Sequence, residues 1–344
     1  MPSYTHGGDV WTHPDILDFS ANLHPLGMPP EVAEAAREAV ACAIHYPDPM
    51  CRELRQAIAR RDGVRPEQVI CAAGAAELIF RLCQTLGPRQ AMVTAPTFSE
   101  YEQALALTGC AVKYFPLSEK QGFDLDDAIL EAIGPGLELL FLCTPNNPTG
   151  RLIAPELLER VAARCAGSGT RLVLDECFLE LAGGRPMTYL LEKYPNLFLL
   201  RAFTKTFAIP GLRLGYGLSA DRALLEGLYA GGQPWGVSTV AQAAGLAACA
   251  CADWPEKGRE ALARERPRLL KGLRNLDLTV WEGQANYLLF RAEGVLDLKE
   301  RMLERGVLLR SCANYRGLGP DYYRVCVRLG PENDILLQRL KEVL

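Results

Sequence analysis

Histidine is scarce in this sequence and is confined to one end of it. Only four histidines occur among 344 residues, and all of them lie within the first 45 positions. Histidine is the usual nitrogen ligand of zinc and of other transition metals in proteins. The body of the protein therefore cannot contain a histidine-based metal site, and the sequence predicts no bound metal.

Other features that are missing from the sequence exclude further classes of protein. No run of 18 apolar residues occurs and no signal-peptide pattern opens the chain, so neither a membrane span nor secretion is expected. The net charge is −4 without a block of basic residues, which argues against a nucleic-acid partner. No GxGxxG motif follows a predicted strand, which argues against a dinucleotide-binding oxidoreductase.

Cysteine is plentiful but lacks the spacing of a disulfide framework or a zinc site. Twelve cysteines occur, none of them in a CxxC pair, and Cys249 and Cys251 lie in an alanine-rich run that is typical of a helix. Hydrophobic residues make up 49% and charged residues 23% of the chain, which is an ordinary globular balance in which cysteine acts as a small apolar residue. We therefore expect a protein of the reducing cytoplasm.

Short apolar runs alternate with amphipathic helical patterns over the first two thirds of the chain. Such runs predict strands, and the amphipathic segments between several of them predict helices. This alternation predicts an α/β fold with a mostly parallel sheet. The runs lie at 68–72, 90–95, 138–143, 171–176, 196–201 and 212–218.

The pattern changes near residue 236 and predicts a second domain. Helical patterns at about 238–252 and 255–275 follow each other without a strand between them. Short strands are then expected at 285–291, 307–311 and 322–329, with a final helix after them. We expect an N-terminal arm (1–30) that contributes to the active site rather than to a core, a large domain (31–235) and a smaller α+β domain (236–344).

Polar residues follow three of the predicted strands, at the end where ligands bind in open α/β sheets. The turn "TPNNPTG" (144–150), Asp175 and Lys205 occupy these places. Each has an ordinary explanation, because Asn, Pro and Gly dominate turns, aspartate often caps a helix, and most lysines are solvated. A lysine held between two buried segments, however, has a lowered pKa and becomes a nucleophilic amine.

The order and spacing of these motifs resemble those of the fold-type-I pyridoxal-phosphate enzymes, in the branch that contains histidinol-phosphate aminotransferase. The resemblance covers essentially the whole chain and rests on "TPNNPTG", "LDE", "TK" and "GLRLGY" in the expected order. It implies a fold-type-I transferase fold and pyridoxal 5′-phosphate as the cofactor. An ionised aspartate beside the cofactor's ring nitrogen keeps the ring protonated, so that it withdraws electrons from the substrate.

The same resemblance implies a role for each matching residue. Lys205 matches the lysine that bonds to the cofactor's aldehyde, and Asp175 matches the partner of the ring nitrogen. Asn147 matches the donor to the phenolic oxygen, and Phe98 matches the aromatic residue that stacks on the ring. The residues that match cofactor-phosphate contacts are Ala75 and Ala76 at a predicted helix start, Thr204 and Arg213.

Two further positions bear on the assembly and on the cofactor's surroundings. Tyr46, in "HYPDP", matches a tyrosine that reaches the cofactor phosphate of the neighbouring subunit. The resemblance therefore implies a homodimer with shared active sites. Phe178 departs from the pattern, because the family usually has a tyrosine at this place, and one hydrogen bond to the phenolic oxygen is lost.

The two ends of the chain resemble the threonine-phosphate decarboxylase group within that branch. The strings that carry the resemblance are "HGGD" (6–9), "LDFSANLHPLG" (17–27), "RSCANYRGLG" (310–319) and "YYRVCVR" (322–328). This group converts L-threonine O-3-phosphate to (R)-1-amino-2-propanol O-2-phosphate for the cobalamin nucleotide loop. The stretch 9–16 is shorter than the group's pattern, so L-serine O-phosphate is retained as an alternative substrate.

The resemblance also implies how the substrate is bound. Arg324 is expected to bind the α-carboxylate and Arg310 the phosphate, with His6 and Asn22 assisting from the arm. Most arginines are solvated or form ordinary ion pairs. Arg310 and Arg324, however, lie at or within apolar strands, which favours a role in binding. By holding the two anions, they would select which bond at the α-carbon breaks.

Two other functions remain open at this point. One is transamination of histidinol phosphate or of a related amino compound by the same set of residues. The other is a non-catalytic protein with this fold that only binds or regulates. No basic helix-turn-helix extension accompanies the motifs, and Asn147, Asp175, Lys205 and Arg213 are all present, so the sequence favours an enzyme.

Overall fold

The computed structural model describes residues 6–344, so the first five residues of the expected arm lie outside the described part of the chain. Within the described residues, no helix combines the length and the apolar character needed to cross a membrane. The strands are β1 (Leu17–Asp18), β2 (Val69–Ala72), β3 (Gln90–Ala95), β4 (Ala111–Pro116), β5 (Leu139–Cys143), β6 (Arg171–Asp175), β7 (Leu197–Ala202), β8 (Gly215–Leu218), β9 (Thr279–Trp281), β10 (Tyr287–Arg291), β11 (Val307–Leu308), β12 (Arg310–Ser311) and β13 (Tyr322–Cys326). The helices are α1 (Pro30–Ala39), α2 (Arg52–Asp62), α3 (Ala75–Leu86), α4 (Ser99–Ala106), α5 (Ile129–Ala132), α6 (Pro155–Ser168), α7 (Leu179–Ala182), α8 (Phe203–Thr206), α9 (Arg222–Ala230), α10 (Thr239–Ala250), α11 (Trp254–Arg274), α12 (Leu298–Leu303) and α13 (Gly330–Val343).

The large sheet has seven strands in the order β2-β8-β7-β6-β5-β3-β4. The pairs formed among β3, β4, β5, β6 and β7 are all parallel, whereas β8 runs antiparallel to both β7 and β2. The expected α/β fold with a mostly parallel sheet is therefore confirmed. β4 is an additional edge strand, and its residues are mostly half-buried or exposed, so it lacks the apolar run by which the other strands were identified.

Both faces of this sheet are buried by helices, which explains why its strands are continuously apolar. Leu140, Leu142 and Leu174 point into one core with residues of α2, α6 and α10. Phe141 and Val173 point into the opposite core with residues of α3, α4 and α9. The alternation follows from the two-residue repeat of a β-strand, which sends successive side chains to opposite faces.

Helix α6 illustrates how local sequence sets the bounds of these elements. Pro155 stands in its first turn, where the missing N–H of proline costs no hydrogen bond. Its apolar side chains recur every three or four residues and are buried against the sheet. Gly169 ends the helix with φ +73°, a left-handed conformation that suits glycine.

The second sheet has four antiparallel strands in the order β12-β13-β10-β9, with α11, α12 and α13 packed around the same core. The presence of a smaller α+β domain is therefore confirmed. Helix α10, in contrast, packs against α1 and α2 and shares the core of the large sheet. The boundary at residue 236 stays a prediction.

Part of the N-terminal arm is a core element, contrary to expectation. β1 pairs in parallel with β11, and the next residue, Phe19, is fully buried in the core of the small domain. The run 307–311 also differs from the expected single strand, because it divides into β11 and β12. β11 pairs with the arm whereas β12 pairs with β13, so the two halves belong to different sheets.

A buried group of charges lies at the end of β7. The guanidinium of Arg201 donates to Oε2 of Glu176 from Nε at 2.9 Å and from Nη2 at 2.6 Å. Its Nη1 lies 3.1 Å from Oδ2 of Asp62, and Tyr216 donates to the same oxygen at 2.8 Å. All three charged side chains are nearly inaccessible to water. One arginine thus forms ion pairs with two buried carboxylates.

We expect Arg201→Met to lower the free energy of unfolding by about 3–5 kcal/mol, because two buried carboxylates lose their cation. Urea unfolding followed by circular dichroism measures the change. Arg222→Met is the matched control, since Arg222 is exposed and pairs with Glu226 within one helix, and it should leave the midpoint unchanged. Equal midpoints for both variants would contradict this account of the buried charges.

Candidate active site

A pocket of about 710 Å³ opens between the large sheet, the small domain and the N-terminal arm. It contains almost all of the residues that the sequence singled out. Those that line it are His6, Asn22, Ala75, Ala76, Phe98, Asn147, Asp175, Thr204, Lys205, Arg213, Arg310 and Arg324. Tyr46 does not line the pocket and is discussed separately below.

The strand directions explain why residues far apart in sequence meet here. Asp175 is the last residue of its parallel strand, and Asn147 and Lys205 follow the carboxyl ends of theirs. These ends lie along one edge of the sheet. Arg213 precedes its strand instead of following it. Because β8 is antiparallel, its first residue, Gly215, pairs with the last residues of β7 and β2. Arg213 therefore reaches the same edge.

Lys205 lies on the short helix α8 directly after β7. Its pKa is lowered to about 8, first by burial and then by the nearby positive charges of Arg324 and Arg213. Its Nζ lies 5.7 Å from the ring centre of Phe178. At neutral pH an appreciable fraction of this amine is therefore unprotonated, which is the form that attacks a carbonyl group.

Asp175 is buried and held by two donors. The hydroxyl of Tyr101 donates to Oδ2 at 2.6 Å, and the backbone N–H of Cys177 donates to Oδ1 at 2.9 Å. Burial raises the pKa of Asp175, whereas these two hydrogen bonds and Lys205 act to lower it. A cation placed next to this carboxylate, such as a protonated ring nitrogen, would supply the missing partner charge.

Tyr101 is a site residue that the sequence reasoning missed. Its ring stacks on Phe141 at 4.8 Å between centres, and Phe98 meets it edge-on at 5.6 Å. Tyr101 follows Phe98 by three residues at the start of α4, so one helical turn carries both. The signal was present in the string "APTFSEY", but its aromatic residues also suit an ordinary helix packed on a sheet.

The two asparagines of "TPNNPTG" have different environments. Asn146 is tied into the protein, because its Oδ1 accepts from Thr97 at 2.7 Å and its Nδ2 donates to the carbonyl of Pro96 at 2.9 Å. Asn147 accepts at Oδ1 from Arg324 at 2.5 Å and from Tyr315 at 3.2 Å. These two donors fix the orientation of the amide, so Nδ2 is the atom of Asn147 that can donate to a ligand.

A cradle for an anion lies where β2 turns into α3. Gly74 has φ +93°, and a Cβ at this position would lie 2.7 Å from Nη2 of Arg213. A Cβ at Gly215 would lie 2.3 Å from the backbone nitrogen of Ala75. Only glycine at positions 74 and 215 leaves room for this close packing. The packing places the guanidinium of Arg213 at the N-terminus of α3, a helix of 12 residues. Free N–H groups and the helix dipole favour a phosphate there.

The donor set of this part of the pocket fits pyridoxal phosphate. The cradle suits its phosphate group, Asp175 suits a protonated ring nitrogen and Nδ2 of Asn147 suits an oxyanion. The half-buried ring of Phe98 and the side chain of Lys205 line the space between them. Within residues 6–344, no group of histidine, cysteine or acidic side chains could hold a metal ion.

Two buried arginines face each other on the other side of the pocket. Arg310 in β12 is directly opposite Arg324 in β13, so both side chains lie on one face of the small sheet. Arg324 donates to Asn147 and, at 2.8 Å, to the carbonyl of Ser20. Arg310 donates to Asn314 at 2.8 Å and lies 5.2 Å from the ring centre of Tyr315. Among residues 6–344, neither has a carboxylate within ion-pair distance, although both are buried.

Residues of the N-terminal arm form one wall of the pocket. Asn22 is buried in the pocket wall, and its Oδ1 has no hydrogen-bond partner among the described residues. Nδ1 of His6 lies 3.1 Å from Oε1 of Glu100. The N–H of Gly8 donates to Oγ of Ser20 at 2.7 Å. Both arm residues expected near the substrate thus lie at the pocket.

Tyr46 lies outside the pocket and is 81% exposed. Its ring packs against Trp235, itself half exposed, at 4.7 Å between centres. Ile44, two residues earlier, is 84% exposed. Large apolar side chains that are exposed together mark interaction surfaces. The place of Tyr46 agrees with a contact to a second copy of the chain, and its expected role stays a prediction.

Comparison with known proteins identifies one family to which this chain is similar. The family model described as "Aminotransferase class I and II" matches residues 14–340. A threonine-phosphate decarboxylase from Salmonella typhimurium is 42% identical, over 98% of this chain and 96% of its own length. The structure of the histidinol-phosphate aminotransferase from Clostridium acetobutylicum is similar, with a TM-score of 0.89 and 26% identity over 95% of this chain and 99% of that one. L-threonine-O-3-phosphate decarboxylase from Porphyromonas gingivalis has a TM-score of 0.85 and 25% identity over the same shares of the two chains.

The lowered pKa of Lys205 predicts a pH-dependent reactivity that can be measured on the cofactor-free protein. Below pH 8 the amine is mostly protonated and unreactive, and above it the amine is neutral. We expect the rate of acetylation by trace acetic anhydride, followed by mass spectrometry, to rise with a midpoint near pH 8.

Lys257 serves as the internal control, because its hydrogen bond to Asp253 raises its pKa above the ordinary lysine value. Its acetylation should rise only at much higher pH. If both lysines had the same midpoint, the electrostatic description of Lys205 would be wrong.

Proposed function

This chain belongs to the class I and II aminotransferase family, and from that membership we propose that it is a pyridoxal-phosphate-dependent decarboxylase of L-threonine O-3-phosphate. The product is (R)-1-amino-2-propanol O-2-phosphate, for cobalamin biosynthesis. The relative from Salmonella typhimurium, which bears the name of this activity, supports the proposal. The expected fold-type-I transferase fold is confirmed by the family match and by the structural neighbours.

The observation that carries the proposal is the pair of opposed arginines, neither of which has a carboxylate within ion-pair distance in the described part of the chain. Two like charges directly across a sheet repel each other, and a buried charge without a counter-ion is costly. A phosphorylated amino acid brings one anion for each arginine. We assign the α-carboxylate to Arg324, because Asn147 joins that arginine to the cofactor side of the pocket, and the phosphate to Arg310.

When bound, pyridoxal phosphate supplies an electron sink for the bond that breaks at the substrate's α-carbon. In the proposed arrangement, Asp175 keeps the ring nitrogen protonated and Phe98 stacks on the ring. Asn147 donates to the phenolic oxygen. The phosphate contacts come from Arg213, Thr204 and the backbone N–H groups of Ala75 and Ala76.

The two arginines also decide the type of reaction. The bond that breaks is the one held perpendicular to the cofactor ring, and fixed contacts to both substrate anions set that torsion. We propose that Arg310 and Arg324, assisted by His6 and Asn22, hold the bond to the carboxylate in this position. The arm and the small domain cover the pocket and limit the access of water. Lys205, in its protonated form, would be the acid that delivers a proton to the α-carbon after CO₂ leaves.

The proposal also includes the oligomeric state of the protein and its cellular compartment. We propose a homodimer in which Tyr46 completes the cofactor-phosphate site of the neighbouring subunit, supported by the exposed aromatic pair of Tyr46 and Trp235. The twelve cysteines are all free thiols, many of them buried, which supports a reducing cytoplasm.

A second candidate is transamination of histidinol phosphate, which is favoured by the structural likeness to the Clostridium enzyme. Histidinol phosphate lacks a carboxylate and would leave Arg324 without an anion. L-serine O-phosphate carries the same two anions as phosphothreonine, so the arginines accept either. A non-catalytic role is disfavoured, because a lysine with a lowered pKa faces the pocket.

Product analysis with phosphothreonine tests the proposal. We expect one CO₂ and one aminopropanol phosphate for each substrate consumed, with the cofactor still in its aldehyde form after many turnovers. Parallel reactions with phosphoserine and histidinol phosphate identify the preferred substrate. Conversion of the cofactor to its amine form, with turnover dependent on an amino acceptor, would instead establish an aminotransferase.

We expect Arg310→Gln to weaken the binding of phosphothreonine by about 2–5 kcal/mol and to affect unphosphorylated threonine little, because only the phosphate loses its partner. Titration of the cofactor's absorbance with each ligand measures both affinities. Arg316→Gln is the matched control, since Arg316 is exposed and pairs with Glu102. A similar loss for both ligands would place Arg310 in another role.

A further inference from the structure

We propose that His24 is a positioning residue for Lys205, which acts by linking the short helix α8 to the first turn of α11. The inference rests on the proposed function and adds to it a residue of the arm that has had no role so far. His24 is not among the residues that line the pocket, so its effect on the reaction passes through the lysine that it holds.

The backbone of His24 is bonded directly to that of Lys205. The N–H of His24 donates to the carbonyl of Lys205 at 3.1 Å. Lys205 lies in α8, which has only four residues and follows β7 without a break. A helix this short has few hydrogen bonds of its own with which to hold its position. The contact with the arm therefore helps to fix the lysine.

The ring of His24 has one partner at each nitrogen. The backbone N–H of Leu26 donates to Nδ1 at 3.1 Å, so Nδ1 carries no proton. Nε2 then carries the proton and donates to the carbonyl of Trp254 at 3.0 Å. Burial lowers the pKa of His24, which keeps the ring in this neutral form near neutral pH. The two partners therefore set both the tautomer and the orientation of the ring.

Helix α11 forms a recess that receives this ring. The ring of Trp254, the first residue of α11, stacks on His24 at 5.0 Å between centres. A Cβ at Gly258, one helical turn later, would lie 2.3 Å from Nε2 of His24, so only glycine leaves room for the ring. His24 is buried in this recess. Because later turns of α11 lie in the core of the small domain, the ring joins that domain to the helix of Lys205.

The rest of the same arm segment has anchors of its own. The carbonyl of Ser20 accepts from Arg324 at 2.8 Å, and the carbonyl of Leu23 accepts from Nδ2 of Asn286 at 2.9 Å. Loss of the contacts between the imidazole and α11 should therefore loosen the end of the segment at Lys205 and leave the substrate-binding end in place. An effect on the lysine can thus be separated from an effect on substrate binding.

Loosening this end should expose Lys205 to water. Burial is the largest cause of the lowered pKa of Lys205, followed by the charge of Arg324. Arg213 acts in the same direction, whereas Cys177 and Asp175 act to raise the pKa. None of these four groups belongs to the arm. A looser arm would therefore act through burial and would raise the pKa of Lys205 toward the ordinary lysine value.

His24→Asn tests this step, because it removes the contacts with α11 and keeps the turn. Oδ1 of asparagine takes the place of Nδ1 and can accept from the N–H of Leu26, as asparagine does in many turns. In the cofactor-free protein, the midpoint of Lys205 acetylation should rise from about 8 by about 0.5–1 pH unit. The measurement is made above about pH 7, where the ring of His24 is neutral in the wild type.

The holoenzyme provides a second readout of the same variant. His24→Asn should lower kcat for the release of CO₂ from phosphothreonine about tenfold and leave KM nearly unchanged, because the amine is displaced while the two arginines are not. Steady-state assays measure both parameters.

His24→Gln is the rescue variant, and His13→Asn is the matched control. Nε2 of glutamine takes the place of the imidazole Nε2 and can still donate to the carbonyl of Trp254. We therefore expect the glutamine variant to have an acetylation midpoint and a kcat close to those of the wild type. His13 belongs to the same arm but does not line the pocket, and its replacement should change neither quantity.

The outcomes separate this inference from the proposed function. A purely structural role would lower the thermal stability of the variants without moving the midpoint of Lys205. Equal midpoints in the asparagine and glutamine variants, or a rise in KM alone, would overturn the inference while the function stood. If the wild-type enzyme neither bound nor decarboxylated phosphothreonine, the proposed function would fail, and the acetylation midpoints would still test His24.

Discussion

A buried charge needs a partner, and this single requirement organises the active-site region. At the end of β7 the requirement is met within the protein, because Arg201 forms ion pairs with both Glu176 and Asp62. In the pocket it is met only partly. Arg310 and Arg324 are equally buried, yet their described partners are neutral amides, hydroxyls and carbonyls. A ligand with two anionic groups would therefore supply both arginines with the charged partners that they lack at ion-pair distance.

The neutral partners of Arg324 connect three parts of the molecule. Its guanidinium joins the turn of the large domain at Asn147, the loop of the small domain at Tyr315 and the arm at Ser20. The same side chain lowers the pKa of Lys205. A carboxylate bound at Arg324, as proposed, would thus act on the amide of Asn147, on the arm at Ser20 and on the amine of Lys205 together.

Much of this arrangement could be predicted from the sequence. Continuous apolar runs identified six strands of the large sheet, and the residues after them proved to lie at one edge of it. The prediction failed where the apolar signal was weak or ambiguous. β4 is too exposed to show a run, and the segment 307–311 has the pattern of one short strand although its halves pair in different sheets. Tyr101 and Glu100 were missed because nothing in a helical pattern shows which of its faces borders a ligand.

The sequence by itself determined the local elements, the family and the residue types available for chemistry, because these depend on side-chain periodicity and on short motifs. Only the tertiary structure decided how those residues act together. The antiparallel course of β8 brings Arg213 to the edge where the other strands end, and the register of β12 on β13 sets Arg310 opposite Arg324. Pairing across a sheet depends on contacts between distant segments, which no local pattern encodes. The arrangement of charges in the pocket, and the lowered pKa of Lys205 that results first from burial and then from those charges, therefore arise only on folding.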